Sequence, residues 1–103
     1  MLLRLRRERL RHLHPVDGSG PAWDLMLALT TLDSGDHLCV GDLADRATVP
    51  RTTTVRWLRE LDRHGFVTLS ADQRDKRAVR VKITPAGSRT MHAAFAAAGL
   101  QGL

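Results

Sequence analysis

Val49-Pro50-Arg51-Thr52-Thr53-Thr54-Val55-Arg56-Trp57-Leu58-Arg59-Glu60-Leu61-Asp62-Arg63-His64-Gly65-Phe66-Val67-Thr68-Leu69-Ser70 is the stretch that decides the fold. It reads as a break, a helix, a cap and a strand. Pro50 keeps Val49 out of the helical region and presets its own backbone for a helix start. Arg51 to His64 then forms the helix, with Trp57, Leu58 and Leu61 on the inner side and Val55 at its edge. Gly65 ends it as a left-handed cap. Phe66 to Ser70 alternates as a strand, with Val67 and Leu69 sharing a face.

Upstream, Gly41 to Thr48 is a short helix with Leu43, Ala44 and Ala47 on one side. Ala44 and Ala47 are small enough for close contact with the next helix. His37 to Val40 is a short strand candidate. Trp23 to Leu32 is apolar on most faces and reads as a buried helix, with Pro21 suited to its first turn and Asp33-Ser34-Gly35-Asp36 stopping it. His14 to Gly20 is a loop, and Leu2 to Leu13 an amphipathic helix with Leu3, Leu10 and Leu13 on one face. Downstream, Ser70 to Arg77 is a charged turn. Val79, Val81 and Ile83 then alternate with Arg80, Lys82 and Thr84 as a half-buried strand with a basic outer face. Thr84-Pro85 caps a last helix, Ala86 to Ala98, with Met91, Phe95 and Ala98 on one stripe and Gly99 as its stop. The order α-α-β-α-α-β-β-α is mainly α with a small β-hairpin: a winged helix-turn-helix. Residues 1–103 form a single domain, with a basic amphipathic helix at 1–14 and a C-terminal helix at 85–99.

The net charge of +5 over 103 residues is unevenly spread. Residues 1–14 carry +4, residues 15–50 carry −5, residues 51–82 carry +5 and the remainder +1. The second basic block coincides with the decisive helix and the hairpin, which suits an anionic partner. No apolar run approaches the roughly 18 residues of a membrane span. The Arg-rich start lacks the apolar stretch of a signal peptide, and a cytoplasmic location is expected. The single cysteine, Cys39, excludes an internal disulfide and a multi-thiolate zinc site. Catalysis has no visible constellation, and neither a metal nor another cofactor is expected. The histidines 12, 14, 37, 64 and 92 are scattered, there is no Gly-rich phosphate loop, and Asp72 and Asp75 lie among arginines that keep them ionised.

In a helix-turn-helix the second helix lies in the DNA major groove with its N-terminal residues at base edges. Here those residues are Arg51, Thr52, Thr53 and Thr54, followed by Arg56. Arginine pairs with guanine through two donors, and threonine bonds either base or touches the thymine methyl. Plain helix surface and capping is the other reading of Thr52 to Thr54. It is weakened because three β-branched residues are poor helix formers. Arg59 and Arg63 continue the basic stripe and, with Arg80 and Lys82, are expected to meet phosphates. Trp57 reads as core. The rival function is a protein-binding winged helix, which would show apolar residues on the exposed helix face. RNA is weaker, for want of an exposed aromatic pair.

Asp72-Gln73-Arg74-Asp75-Lys76-Arg77, followed by Ile83-Thr84-Pro85-Ala86-Gly87, resembles the wing signature of the MarR (multiple antibiotic resistance regulator) transcription factors. The likeness spans about residues 21–90 and includes the helix from Val55 and its exit into the hairpin. It implies that Arg74 and Arg77 are wing residues, one reaching the minor groove and one bracing the turn, with Asp75 holding an arginine by an ion pair; Lys76 beside them is a further expected contact to the double-stranded DNA. It also implies a homodimer, for which Leu3, Leu10 and Leu13 and the C-terminal helix are the available surfaces. The alternative is that the leucine stripe covers the domain's own core. Many family members sense phenolic ligands or oxidants. This chain offers little material for a ligand pocket, and Cys39, between Leu38 and Val40, reads as a small buried hydrophobe.

Overall fold

A computed structural model describes residues 11–16, 20–33, 35–75 and 77–99. Its elements are α1 (Pro21–Thr30), β1 (Leu38–Cys39), α2 (Val40–Ala47), α3 (Arg51–Arg63), β2 (Val67–Ala71), β3 (Val79–Ile83) and α4 (Pro85–Ala97). This is the winged helix-turn-helix read from the sequence. The sheet has three antiparallel strands in the order β1-β3-β2, so the two-stranded hairpin gains a short third strand. Leu38 pairs with Val81, and Leu69 pairs with Val81 from the other side.

The boundaries move for local reasons. α1 stops at Thr30 rather than Leu32, where the Thr30 and Thr31 hydroxyls donate to the Leu27 and Ala28 carbonyls, both at 2.6 Å. β1 is cut short because Val40 already opens α2. Thr48 leaves α2 in the left-handed region with φ 55°, and Val49 N–H donates back to the Ala44 carbonyl at 3.0 Å. Threonine is an unusual residue for that conformation, and nothing in the local pattern marks it. Gly65, with φ 80°, ends α3 as expected.

The core draws on every layer. It includes Leu13, Leu25, Met26, Leu29, Leu43, Leu58, Leu61, Val67, Val81 and Met91, while Trp23 meets Phe95 edge-on at 6.0 Å. Trp57 is half-buried against the rim of this core. Arg11 and His12 are helical, as the first predicted helix requires. Leu13 is 0% exposed and belongs to the chain's own core. Of its two readings, dimer surface and the domain's own core, that supports the core and not the dimer surface; Leu3 and Leu10 lie outside the described residues.

One joint fixes α3, the hairpin and α4 together. The Thr84 hydroxyl caps α4 by accepting from Gly87 N–H at 2.9 Å and donates to the Gly65 carbonyl at 2.6 Å. Gly87 is buried against the turn after α3, and a Cβ there would overlap the Phe66 carbonyl oxygen. The glycine of the Thr-Pro-Ala-Gly run is thus a matter of close approach rather than of backbone freedom.

Candidate nucleic-acid interface

α3 is anchored by Thr54, Leu58 and Leu61, which are buried. A helix repeats every 3.6 residues, so Thr52, Arg56, Arg59 and Arg63 share the opposite side. All four are exposed. Thr53 is half-buried on the flank of that side, and Arg51 lies exposed at the helix start. Thr54 is 0% exposed, which corrects its expected DNA contact. Its hydroxyl donates to the Pro50 carbonyl at 3.0 Å, and its N–H donates to the same oxygen at 2.8 Å. The third threonine of the run therefore holds the turn between α2 and α3. The spacing alone shows it: Thr54, Leu58 and Leu61 stand at i, i+4 and i+7 on the core side.

The arginines of α3 differ in what they touch. Arg56 lies 5.6 Å from the Trp57 ring centroid, in cation–π range. Arg63 donates to Glu60 at 2.8 Å, an exposed pair one turn apart. Surface pairs of this kind hold little energy, so Arg63 is tethered rather than locked. The Arg51 guanidinium lies beside Gly41, in the first turn of α2.

The hairpin tip is built by its own carboxylates. Asp72 Oδ1 accepts from the Arg74 and Asp75 N–H groups at 2.7 and 3.3 Å. Asp75 Oδ1 accepts from Arg77 N–H at 3.0 Å and lies 3.6 Å from Arg77 Nε. The expected Asp75–arginine pair is therefore present, with Arg77 as the partner. That side chain is still 95% exposed, so the pair leaves it free to reach outward. Arg74 is exposed as well, and Lys76 lies outside the described residues. The backbone amides of Arg74 and then Asp75 hold the Asp72 carboxyl below the usual carboxylate range.

Arg80 and Cys39 depart from the sequence reading. Arg80 is half-buried and donates from Nη2 to His37 Nδ1 at 3.1 Å, while its Nε is buried without a hydrogen-bond partner among the described residues. It braces the strand against the β1 side instead of standing free for a phosphate; Lys82 beside it is exposed. Cys39 is half-buried, not fully buried, and its thiol donates to Asp72 Oδ2 at 3.7 Å. Desolvation, then the Asp72 hydrogen bond and charge, raise the thiol pKa above its ordinary value. Nothing along the chain links His37, at the start of the short strand candidate, to Asp72 in the wing run; the fold brings both to the base of the wing.

The sequence left little material for a ligand pocket. An open cavity of about 670 Å³ nevertheless lies between the end of α1, β3 and α4, lined by Leu29, Leu32, Lys82, Ser88 and Arg89 among others. No helix among the described residues is long and apolar enough to cross a membrane.

Solved structures share this arrangement. Reduced AbfR bound to DNA matches with a TM-score of 0.74 and 20% identity, over 95% of this chain and 70% of that one. A cysteine-to-serine mutant of MarR from E. coli, complexed with operator DNA, matches with a TM-score of 0.73 and 20% identity, over 95% and 68%. The transcriptional regulator BldR from Sulfolobus solfataricus matches with a TM-score of 0.69 and 23% identity, over 92% and 63%. These likenesses establish the fold. No curated protein matches the chain. The model of the MarR family matches residues 23–79, more than half of the 103 residues, and the chain belongs to the MarR family.

Proposed function

We propose that this protein is a sequence-specific regulator of transcription that binds double-stranded DNA, with α3 in the major groove and the β2–β3 wing in the minor groove. The observation that carries the reading is the exposed side of α3. It presents Thr52, Arg56, Arg59 and Arg63. The exposed large hydrophobic residues of the described chain are Leu27 and Val79, neither of them on α3. A protein-docking winged helix needs an apolar centre on that face, so DNA is the better fit. Family membership and the DNA complexes of AbfR and E. coli MarR point the same way.

Thr52 and Arg56 read base edges, with Thr53 at the flank. Arg59, Arg63 and Lys82 meet phosphates. Arg74 and Arg77 reach the narrow minor groove, where the negative potential is enhanced. The protein works in the cytoplasm as a homodimer, joined through the segment of Leu3 and Leu10 and the C-terminal helix.

Selection of duplexes from a random pool at stated salt tests this. An enriched inverted repeat supports the dimer, and a single half-site overturns it. No enrichment over the input pool overturns specific DNA binding and favours the protein-interaction module. On an enriched duplex, Arg56→Ala loses about 1–3 kcal/mol and relaxes preference at one base step. An unchanged ratio of specific to random binding removes Arg56 from base reading.

A further inference from the structure

Gly41 is the second residue of α2 and is half-buried. Glycine is among the weakest helix formers, so its presence in the first turn of α2 asks for a reason. Two usual reasons are missing. Gly41 is not among the positive-φ glycines. A Cβ on it would also meet no backbone from outside its own helix within 4 Å. What lies there is the Arg51 side chain, with Cζ and Nη1 both 3.8 Å from the Cβ position. The open space over Gly41 is the seat of the Arg51 guanidinium.

That seat is an odd one for a cation. Arg51 is the first residue of α3 and stands against the first turn of α2. Both helix dipoles are positive there, so neither stabilises the guanidinium. Among the described residues its side chain makes no ion pair or hydrogen bond. In a helix-turn-helix the first helix crosses the DNA backbone while the second enters the groove. A guanidinium laid over the first turn of the first helix therefore faces phosphodiester, which it binds through charge-assisted hydrogen bonds.

We infer that Arg51 is a clamp for a DNA backbone phosphate rather than a base reader, and that Gly41 is the positioning residue that keeps its seat open. The inference rests on the DNA-binding reading above. An alanine methyl at position 41 meets the guanidinium at ordinary contact distance, whereas a longer side chain takes its place.

The test is binding of the full chain to a random-sequence duplex, titrated with salt. Each phosphate contact contributes about 0.9 to the slope of log K against log salt, which is about 3.5-fold in affinity between 50 and 200 mM. Arg51→Ala flattens the slope by about 0.9. Gly41→Leu does the same with Arg51 still present, and the double variant flattens it no further. Gly41→Gln serves as a second bulky replacement in case the leucine variant does not fold, and Gly41→Ala keeps the parental slope. Wild-type slopes for Gly41→Leu and Gly41→Gln, or additive losses in the double variant, overturn the positioning role. An Arg51→Ala slope equal to wild type, with a changed ratio of selected to random duplex, assigns Arg51 to a base and overturns the clamp. Absence of any salt-dependent duplex binding by the unmodified chain instead defeats the DNA-binding reading itself.

Discussion

The recognition helix and the wing present cations by opposite means. α3 fixes its arginines through the core beneath them: Thr54, Leu58 and Leu61 set the register, and helical spacing does the rest. Its outward side chains need few partners of their own. The wing tip has no core beneath it. It is shaped by Asp72 and Asp75, whose carboxylates accept backbone N–H groups from Arg74, Asp75 and Arg77. A helix can therefore spend its surface on cations, while a hairpin tip must include acids to hold its own turn. Of the four acids in the basic block, Asp72 and Asp75 in the wing hold its turn, whereas Glu60 on α3 only pairs with the exposed Arg63.

The comparison breaks first at the joint that both regions share. Gly87→Ala forces a methyl into the Phe66 carbonyl, and the expected loss is about 3 kcal/mol, at the upper end of overpacking costs. Urea unfolding measures it. A loss near zero would mean that α4 shifts freely against the turn after α3.

A smaller effect separates the two sides of α3. Thr54→Val keeps the shape and removes the hydroxyl that donates to Pro50, costing about 1 kcal/mol of stability. Thr52→Val, on the exposed side, stays within about 0.5 kcal/mol in the same assay. Equal effects at the two positions would show that the helix is not anchored through its third threonine.

The mildest change concerns the wing alone. Asp72→Asn weakens the acceptance of the Arg74 and Asp75 amides, and hydrogen exchange at both speeds up while the core amides stay protected. The sign with pH follows from the lowered carboxyl pKa. The contribution of Asp72 is complete above the ordinary carboxylate value and is lost as pH falls through its folded value. Asp72→Asn therefore flattens the acid end of the stability profile. The same substitution removes the charge that helps raise the Cys39 pKa, so alkylation of Cys39 at neutral pH, slow in the parent, becomes faster. An unchanged rate would detach Cys39 from the wing.

Much of this was legible along the chain. Pro50, Gly65 and Thr84 punctuate the elements where the structure has them, because each acts on backbone a few residues away. The candidate site was legible where periodicity governs, at Thr52, Arg56, Arg59 and Arg63. It was misread where a residue's neighbours come from elsewhere. Thr54 reads with the threonines beside it, although its helical face belongs to the core. Arg80 alternates like an outward strand residue, yet the added strand β1 brings His37 to it. Leu13 suits a partner or the core by its spacing alone, and its place among the buried residues decides for the core.

By itself, then, the sequence determined the order of helices and strands, the basic character of the second helix and hairpin, and the family to which they point. Local backbone preference and hydrophobic period carry that information over short distances. Only the tertiary structure decided which cations stand free, which are braced, and that the Arg51 guanidinium rests over Gly41, ten positions earlier in the chain. Such pairings arise when α2 and α3 pack through Thr48 and Val49, a turn whose left-handed threonine no local pattern announces.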